Sequence, residues 1–189
     1  MTRVIFYTAT TLNGFLADDQ DSLDWLFAAP GGEGGDEDFQ RFLSGIGVLV
    51  QGSSTYRWVL EHEDLIAHPE KWPAYYGARP TWVFSRRELP AVPGADIRFA
   101  SGDVADVWPQ IRDAAGDRDV WIVGGGDLAG QFADAGLLDE IRVSIAPATL
   151  PSGKPLLPRR LGADRLELTA ARQSGAFAEL TYAVKDAAR

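Results

Sequence analysis

Short apolar runs alternate with segments in which apolar residues recur at helical spacing. The runs are rich in β-branched and aromatic residues and predict strands at residues 4–10, 47–52, 81–85, 96–100, 120–123, 139–146, 166–173 and 178–184. The helical spacing predicts helices at about residues 39–46, 53–60, 104–115 and 128–135. Residues 61–80, which contain three prolines, are expected to be irregular.

Strands that alternate with helices and end in a strand pair indicate an α/β fold. We expect a mostly parallel central sheet with antiparallel C-terminal edge strands, helices on both faces, and a single domain over residues 1–189. Three strands run directly into small or hydroxyl residues, in V-L-V-Q-G-S-S-T (48–55), W-V-F-S-R-R (82–87) and W-I-V-G-G-G-D-L (121–128). If these strands are parallel neighbours, their carboxyl ends border one ligand crevice.

Composition narrows the classes of function. The net charge of −9 argues against a protein that binds duplex nucleic acid, although a local site for an anion stays open. Cysteine is absent and only two histidines occur, so we expect no disulfide and no metal site. No apolar run approaches the ~20 residues that a membrane helix needs, and the first residues do not resemble a signal peptide. We therefore expect a cytoplasmic protein with no membrane partner.

The three glycines at 124–126 stand between a predicted buried strand and a predicted helix. One reading is a tight turn with positive φ, where a side chain would clash. The other is an anion site, because exposed backbone N–H groups and the helix dipole at such a position favour phosphate. The spacing does not fit a Rossmann fingerprint, and no Lys-Ser or Lys-Thr pair follows for a P-loop.

Several segments together resemble a known family. They are T-A-T-T-L-N-G-F-L-A (8–17), V-L-V-Q-G-S-S-T-Y (48–56), V-G-G-G-D-L-A-G-Q-F-A-D-A-G-L-L-D-E-I (123–141) and A-P-A-T-L-P-S-G-K-P-L-L (146–157). In this order, over nearly the whole chain, they resemble the C-terminal reductase domain of the bifunctional deaminase-reductase of riboflavin biosynthesis. That domain shares its three-layer fold with dihydrofolate reductase. We expect no deaminase domain of the kind often fused to it, because that domain's histidine and cysteine zinc ligands are missing from this sequence.

The resemblance implies NADPH along the carboxyl edge of the sheet. The cofactor-binding residues that it implies are Ala9, Thr10, Leu12, Asn13, Gly52, Ser53, Ser54, Thr55, Ser85, Arg86, Arg87, Val123, Gly124, Gly125, Gly126, Asp127 and Leu128. The glycine run would hold the pyrophosphate, and residues 9–13 would receive the nicotinamide carboxamide. For Thr55 the alternative is helix capping alone, and for Asn13 with Gly14 it is a turn alone.

Arg86 and Arg87 match the segment that reaches the adenosine ribose. Guanidinium groups bind phosphate in a bidentate way, so this pair favours NADP over NAD unless it is only a solvated charge pair. The chain departs from the family at two positions. Ser53 stands where family members often have a basic residue, and the carboxylate of Asp127 would repel pyrophosphate unless it points away.

The substrate side rests on fewer residues. Dihydrofolate reductases carry one catalytic carboxylate on an early helix, and Asp36 matches it best among the acids at 36–38, although acids at a helix start are usually caps. Trp25 and Phe39 could wall a flat small-molecule substrate, and Trp25 could equally belong to the core. Hydride transfer needs alignment and exclusion of water more than further side chains.

We therefore expect an NADPH-dependent reductase of a small heteroaromatic or imine substrate, such as a pterin or the ribosylamino-pyrimidine of riboflavin synthesis. A true dihydrofolate reductase is the alternative enzyme, but the glycine-rich approach to Asp36 is unusual for one. A non-catalytic NADP(H)-binding or sensory protein, or a scaffold that has lost the cofactor, are alternatives of another class. Related domains often pair, so a homodimer is expected.

Overall fold

The computed structural model describes residues 2–30 and 37–185, whose longer strands form one central sheet. The strands are β1 (Val4–Thr11), β2 (Phe15–Ala17), β3 (Ile46–Gly52), β4 (Thr81–Phe84), β5 (Ile97–Ala100), β6 (Asp119–Gly124), β7 (Glu140–Ala146), β8 (Lys154–Pro155), β9 (Leu166–Ser174) and β10 (Phe177–Val184). The helices are α1 (Asp24–Phe27), α2 (Glu37–Ser44), α3 (Ser53–His62), α4 (Lys71–Tyr76), α5 (Val104–Ala115) and α6 (Gly126–Asp134).

The central sheet has the order β5-β4-β3-β6-β1-β7-β10-β9. Neighbouring strands are parallel from β5 through β7, and β10 and β9 pair antiparallel at one edge. This arrangement confirms the predicted α/β class and its antiparallel C-terminal edge. The last helix before β6 must carry the chain back across the sheet, because β6 lies between β3 and β1.

Helices cover both faces because side chains alternate along the strands. Val120 and Ile122 point to the face that packs against α5 and α6, where Ile111 and Phe132 are fully buried. Trp121, between them, points to the opposite face and meets α2. The same face carries α3 and α4 over β4. In the described part of the chain, no helix has the length and apolar character to span a bilayer.

One predicted irregular stretch contains a helix. Residues 61–80 include α4, which begins at Lys71 and tolerates Pro73 in its first turn. A proline there removes no intrahelical hydrogen bond, since the first N–H groups of a helix have no partner within it. Trp72 of this helix is 1% exposed and packs on Tyr56, which explains why the segment folds.

The carboxyl ends of β4, β3 and β6 lie side by side, as predicted. Gly52 at the end of β3 is in register with Phe84 of β4, and Gln51 is in register with Gly124 of β6. The small two-stranded sheet of β2 and β8 brings Lys154 and Pro155 to the same edge. These elements surround the crevice that is described next.

Candidate active site

Two adjoining cavities form one cleft beyond the ends of β4, β3 and β6. The first, about 480 Å³, is called the arginine cavity because Arg57, Arg86 and Arg87 line it. The second, about 460 Å³, is called the aromatic cavity because Trp25, Trp58 and Tyr76 line it. They share four wall residues, namely Ser54, Thr55, Gly125 and Asp127. An elongated ligand can therefore occupy both.

The glycine run at 124–126 permits close backbone approach. A Cβ on Gly124 would lie 2.9 Å from Thr55 Oγ1, and one on Gly126 would lie 2.2 Å from the carbonyl oxygen of Leu156. A Cβ on Gly125 would meet only Thr55 Oγ1, at 3.8 Å. The peptide bond between Gly124 and Gly125 is cis, and none of the three glycines has a positive φ. The tight turn with positive φ is therefore wrong, and steric contact rather than φ requires glycine at positions 124 and 126.

Two helices begin at the cleft. The helix α3 starts at Ser53, directly after Gly52, and α6 starts at Gly126, directly after Gly125. The free N–H groups and the positive dipole ends of both helices favour an anion there. No side-chain hydrogen bond caps α3, whose N-cap is Gly52. Capping by Thr55 is therefore wrong, since Thr55 lies in the first turn and borders both cavities.

The arginine cavity concentrates positive charge. Ser85 Oγ accepts a hydrogen bond from the Arg87 N–H at 3.0 Å and donates one to the Arg87 carbonyl at 2.8 Å, which holds the turn after β4. No carboxylate of the described residues forms an ion pair with Arg57, Arg86 or Arg87, whereas Arg98 is paired with Asp96 at 2.7 Å. The cavity therefore offers guanidinium groups to a ligand.

The sequence analysis did not predict Arg57 as a site residue. It follows Ser53 by four residues on α3, so both lie on the same helix face. That spacing is the signal that could have found it. Gln131 and Ser101 also line this cavity without having been predicted.

Asp127 lies at the rim of the cleft, where its carboxylate forms an ion pair with Arg159. Its carboxylate accepts hydrogen bonds from Gln131 Nε2 at 2.9 Å and from Arg159 Nη2 at 3.1 Å. Arg159 also donates from Nε to Asp134 at 2.6 Å, and this hydrogen bond, followed by the one to Asp127, raises the pKa of the guanidinium. The two partners reduce the repulsion that Asp127 would exert on a bound phosphate.

The aromatic cavity has walls from four helices, α1, α3, α4 and α6. Trp25 of α1, which the sequence predicted as a substrate contact, lies on its wall. Trp58 and Tyr76 also line it, although the sequence analysis did not predict them as site residues. The ring of His62 stacks on Trp58 at 4.4 Å and on Phe27 at 5.2 Å, which ties α1 to α3. Burial raises the pKa of the Tyr76 phenol well above its ordinary value, so the hydroxyl stays protonated near neutral pH.

Most of the predicted cofactor residues line the cleft, and four predicted contacts do not. Thr10, Leu12, Asn13 and Phe39 are absent from the walls of both cavities. The Asn13 side chain bridges to the backbone of Leu150, donating from Nδ2 at 2.7 Å and accepting at Oδ1 at 3.1 Å. These four assignments stay predictions.

Phe39 packs edge-on against Trp121 and Tyr7, at 5.6 Å and 6.0 Å between ring centroids. Those contacts place it in the aromatic layer under α2. Ala9 and Val123, by contrast, do line the aromatic cavity. The predicted substrate contact Phe39 therefore lies in the packed layer, whereas the predicted cofactor contacts Ala9 and Val123 lie on the cavity wall.

The predicted catalytic residue, Asp36, lies outside the described residues. Its neighbour Asp38 is engaged elsewhere, because Arg172 and Arg41 both bind its carboxylate. The hydrogen bond from Arg172 is the main cause that lowers the pKa of Asp38. The described carboxylates on the aromatic cavity are Asp127 and Asp21, and Asp21 lies 3.6 Å from Lys154 Nζ.

The sequence comparisons point to one family. The model of the RibD C-terminal domain family matches residues 2–176. The uncharacterized protein YyaP of Bacillus subtilis is 29% identical over 158 residues, which are 82% of this chain and 79% of that protein.

The structural comparisons agree with this. A riboflavin biosynthesis protein of Shewanella sp. PV-4 matches with a TM-score of 0.78 and 25% identity, over 97% of this chain and 99% of the other. Dihydrofolate reductase of Enterococcus faecalis, solved with NADP(H), matches with a TM-score of 0.61 and 14% identity, over 97% of both chains. The second likeness shows a shared dihydrofolate-reductase-like fold.

Proposed function

This chain belongs to the RibD C-terminal domain family, and from that premise we propose that it is an NADPH-dependent reductase of a small heteroaromatic or imine substrate. Its family and its dihydrofolate-reductase-like fold support an oxidoreductase. The observation that carries the cofactor assignment is the cleft itself. Its two cavities join three arginines, which no described carboxylate pairs with, to an apolar, aromatic chamber across two helix N-termini.

The residues present fit NADP(H). Gly125 leaves space at the wall that the cavities share, and the N-termini of α3 and α6 would hold the pyrophosphate through backbone N–H groups. Arg86 and Arg87 would hold the 2′-phosphate by charge-assisted hydrogen bonds. The dihydrofolate reductase of the same fold was solved with NADP(H), which supports this cofactor.

The aromatic cavity is the proposed place of the nicotinamide and the substrate. When bound there, NADPH supplies a hydride. Trp25 and Trp58 would stack on or border a flat ring and exclude water, and Ala9 with Val123 would form the floor. The rings favour a heteroaromatic substrate, and the likeness to a riboflavin biosynthesis protein of Shewanella supports the ribosylamino-pyrimidine that the family resemblance implies.

Reduction of a C=N bond also requires a proton at nitrogen, and a hydrogen-bond donor beside the reacting group would orient it. Tyr76 lines the aromatic cavity, and burial keeps its hydroxyl neutral. It would hold a hydrogen bond to a substrate nitrogen or oxygen while water or Asp36 supplies the proton. A substrate chamber of this kind favours an enzyme over a protein that only binds the cofactor.

Fluorescence titration with NADPH and with NADH tests the proposal. Trp25 and Trp58 border the aromatic cavity, so their emission should change when a nicotinamide binds. We expect NADPH to bind more tightly than NADH. In the double variant Arg86→Ala, Arg87→Ala, the ratio of NADPH affinity to NADH affinity should fall by roughly 100-fold or more, since two hydrogen bonds to a charged group, each worth about 1.5–3 kcal/mol, are lost.

The matched control is Arg118→Ala, Arg160→Ala, which removes the same charge from exposed positions outside both cavities. It should bind NADPH like the unaltered protein. If the unaltered protein binds neither nucleotide, the proposed function is wrong. If it binds NADPH, a screen of pyrimidine and pterin substrates by NADPH absorbance identifies the acceptor.

A further inference from the structure

The arginine cavity contains one more cation than the family resemblance assigns. Arg57, Arg86 and Arg87 all border it, and the first comes from α3 rather than from the turn after β4. Ser53, one helical turn before Arg57, occupies the position where a basic residue was expected by resemblance. The Arg57 guanidinium can therefore take the place of the basic side chain that is absent at position 53.

Helix geometry directs Arg57 to that position. Side chains on an α-helix tilt toward its N-terminus, and residues four apart lie one above the other. Arg57 is half-buried and borders the arginine cavity, as does Ser53. A long side chain at 57 thus reaches the space that a basic side chain at 53 would occupy.

The charge balance around Arg57 points to an anion. In an acidic protein of net charge −9, Arg3, Arg98, Arg142, Arg159 and Arg172 are all paired with carboxylates. Among the described residues, none pairs with the three guanidinium groups of the arginine cavity. They also lie near the positive end of the α3 dipole, so a bound anion would relieve the cation repulsion there.

The position of Arg57 distinguishes two phosphate groups. The helix N-termini proposed for pyrophosphate are near the wall that both cavities share, at Thr55 and Gly125. Arg57 borders only the arginine cavity, together with Arg86 and Arg87. A phosphate monoester carries about −1.5 to −2 charges near neutral pH, so it is matched by several cations rather than one.

We propose that Arg57 is a specificity-determining residue that binds the 2′-phosphate of NADPH with Arg86 and Arg87, in place of the basic residue absent at position 53. This inference rests on the proposed function and extends it to a residue that the family resemblance does not assign. It makes Arg57 a determinant of NADPH over NADH, and it gives Arg57 no part in binding the nicotinamide half.

The test is the affinity of the full-length Arg57→Gln variant for four probes: NADPH, NADH, adenosine 2′,5′-bisphosphate and AMP. We expect binding of NADPH and of the bisphosphate to weaken by roughly 10-fold or more, because a charge-assisted hydrogen bond is lost. Binding of NADH and AMP should change by less than about 2-fold. Arg160→Gln is the control, since Arg160 is exposed and borders neither cavity.

Two results would overturn the inference. Unchanged NADPH affinity means that Arg57 is solvated, and an equal loss for NADPH and NADH means that it contacts the pyrophosphate instead. Thermal unfolding of Arg57→Gln checks that the fold is intact. If the unaltered protein prefers NADPH and loses the preference only in the Arg86, Arg87 double variant, the proposed function stands and this inference fails. If it binds no nucleotide, both fail.

Discussion

Alanine at position 126 should destabilise the fold, whereas alanine at 125 should not. A Cβ at Gly126 would lie 2.2 Å from the Leu156 carbonyl oxygen and 2.5 Å from that of Pro155. Both are backbone atoms, so no side-chain rotation relieves the contact. Reaching even 3.0 Å from the Leu156 oxygen requires a shift of 3.0 − 2.2 = 0.8 Å.

The expected cost follows from this forced shift. Overpacking of a well-packed site costs about 1–3 kcal/mol, and a clash with two carbonyls belongs at the upper end, about 2–3 kcal/mol. For a chain of this length, that lowers Tm by roughly 4–12 °C. At Gly125 the nearest atom, Thr55 Oγ1, is 3.8 Å from the added Cβ, and φ is −93°, which alanine adopts freely. Gly125→Ala should stay within about 1 kcal/mol of the unaltered protein.

Circular dichroism melts of the two variants, with Gly45→Ala as control, measure this contrast. A Cβ at Gly45 meets only the Phe42 carbonyl, at 3.5 Å. Gly125→Ala should instead weaken NADPH binding, because its methyl group faces the wall that the two cavities share. The steric reasoning is refuted if Gly126→Ala melts within 2 °C of the unaltered protein, or if both variants lose the same stability.

Two further stability predictions follow from buried polar groups. Burial raises the pKa of Tyr56 to about 12, so the stability present below pH 10 is lost as pH rises toward 12. Tyr56→Phe should flatten that decline in Tm, at a cost of about 1 kcal/mol for the lost hydrogen bond to the Pro90 carbonyl; unchanged slopes would contradict this. Arg79 donates to three carbonyls, of Ile46, Tyr76 and Leu43, at 2.6–2.9 Å. Arg79→Met should lower the urea-unfolding free energy by about 3 kcal/mol, and a loss below 1 kcal/mol would exclude this role.

The glycine run at 124–126 shows which features the local sequence pattern can predict and which it cannot. Its position between β6 and α6 was predicted, because a buried strand and an amphipathic helix each have a readable period. The steric reason for glycine was not predicted, because the atoms that a Cβ would contact belong to Thr55 and Leu156, which are distant in sequence. The same holds for Pro73, which suggested a loop although its helix is stabilised by the burial of Trp72.

By itself, the sequence determined the alternation of strands and helices, the antiparallel edge and the small residues at the strand ends. These features depend on the periodicity of apolar residues and on turn-forming residues within short segments. They can therefore be recognised without the tertiary structure. Only the tertiary structure decided which side chains meet at the cleft. The order of the strands places Arg57 and Arg86 on the wall of one cavity, and Trp25, Trp58 and Tyr76 on the wall of the other. Asn13 instead donates a hydrogen bond to the Leu150 carbonyl. Long-range packing sets that order, and no local signal records it.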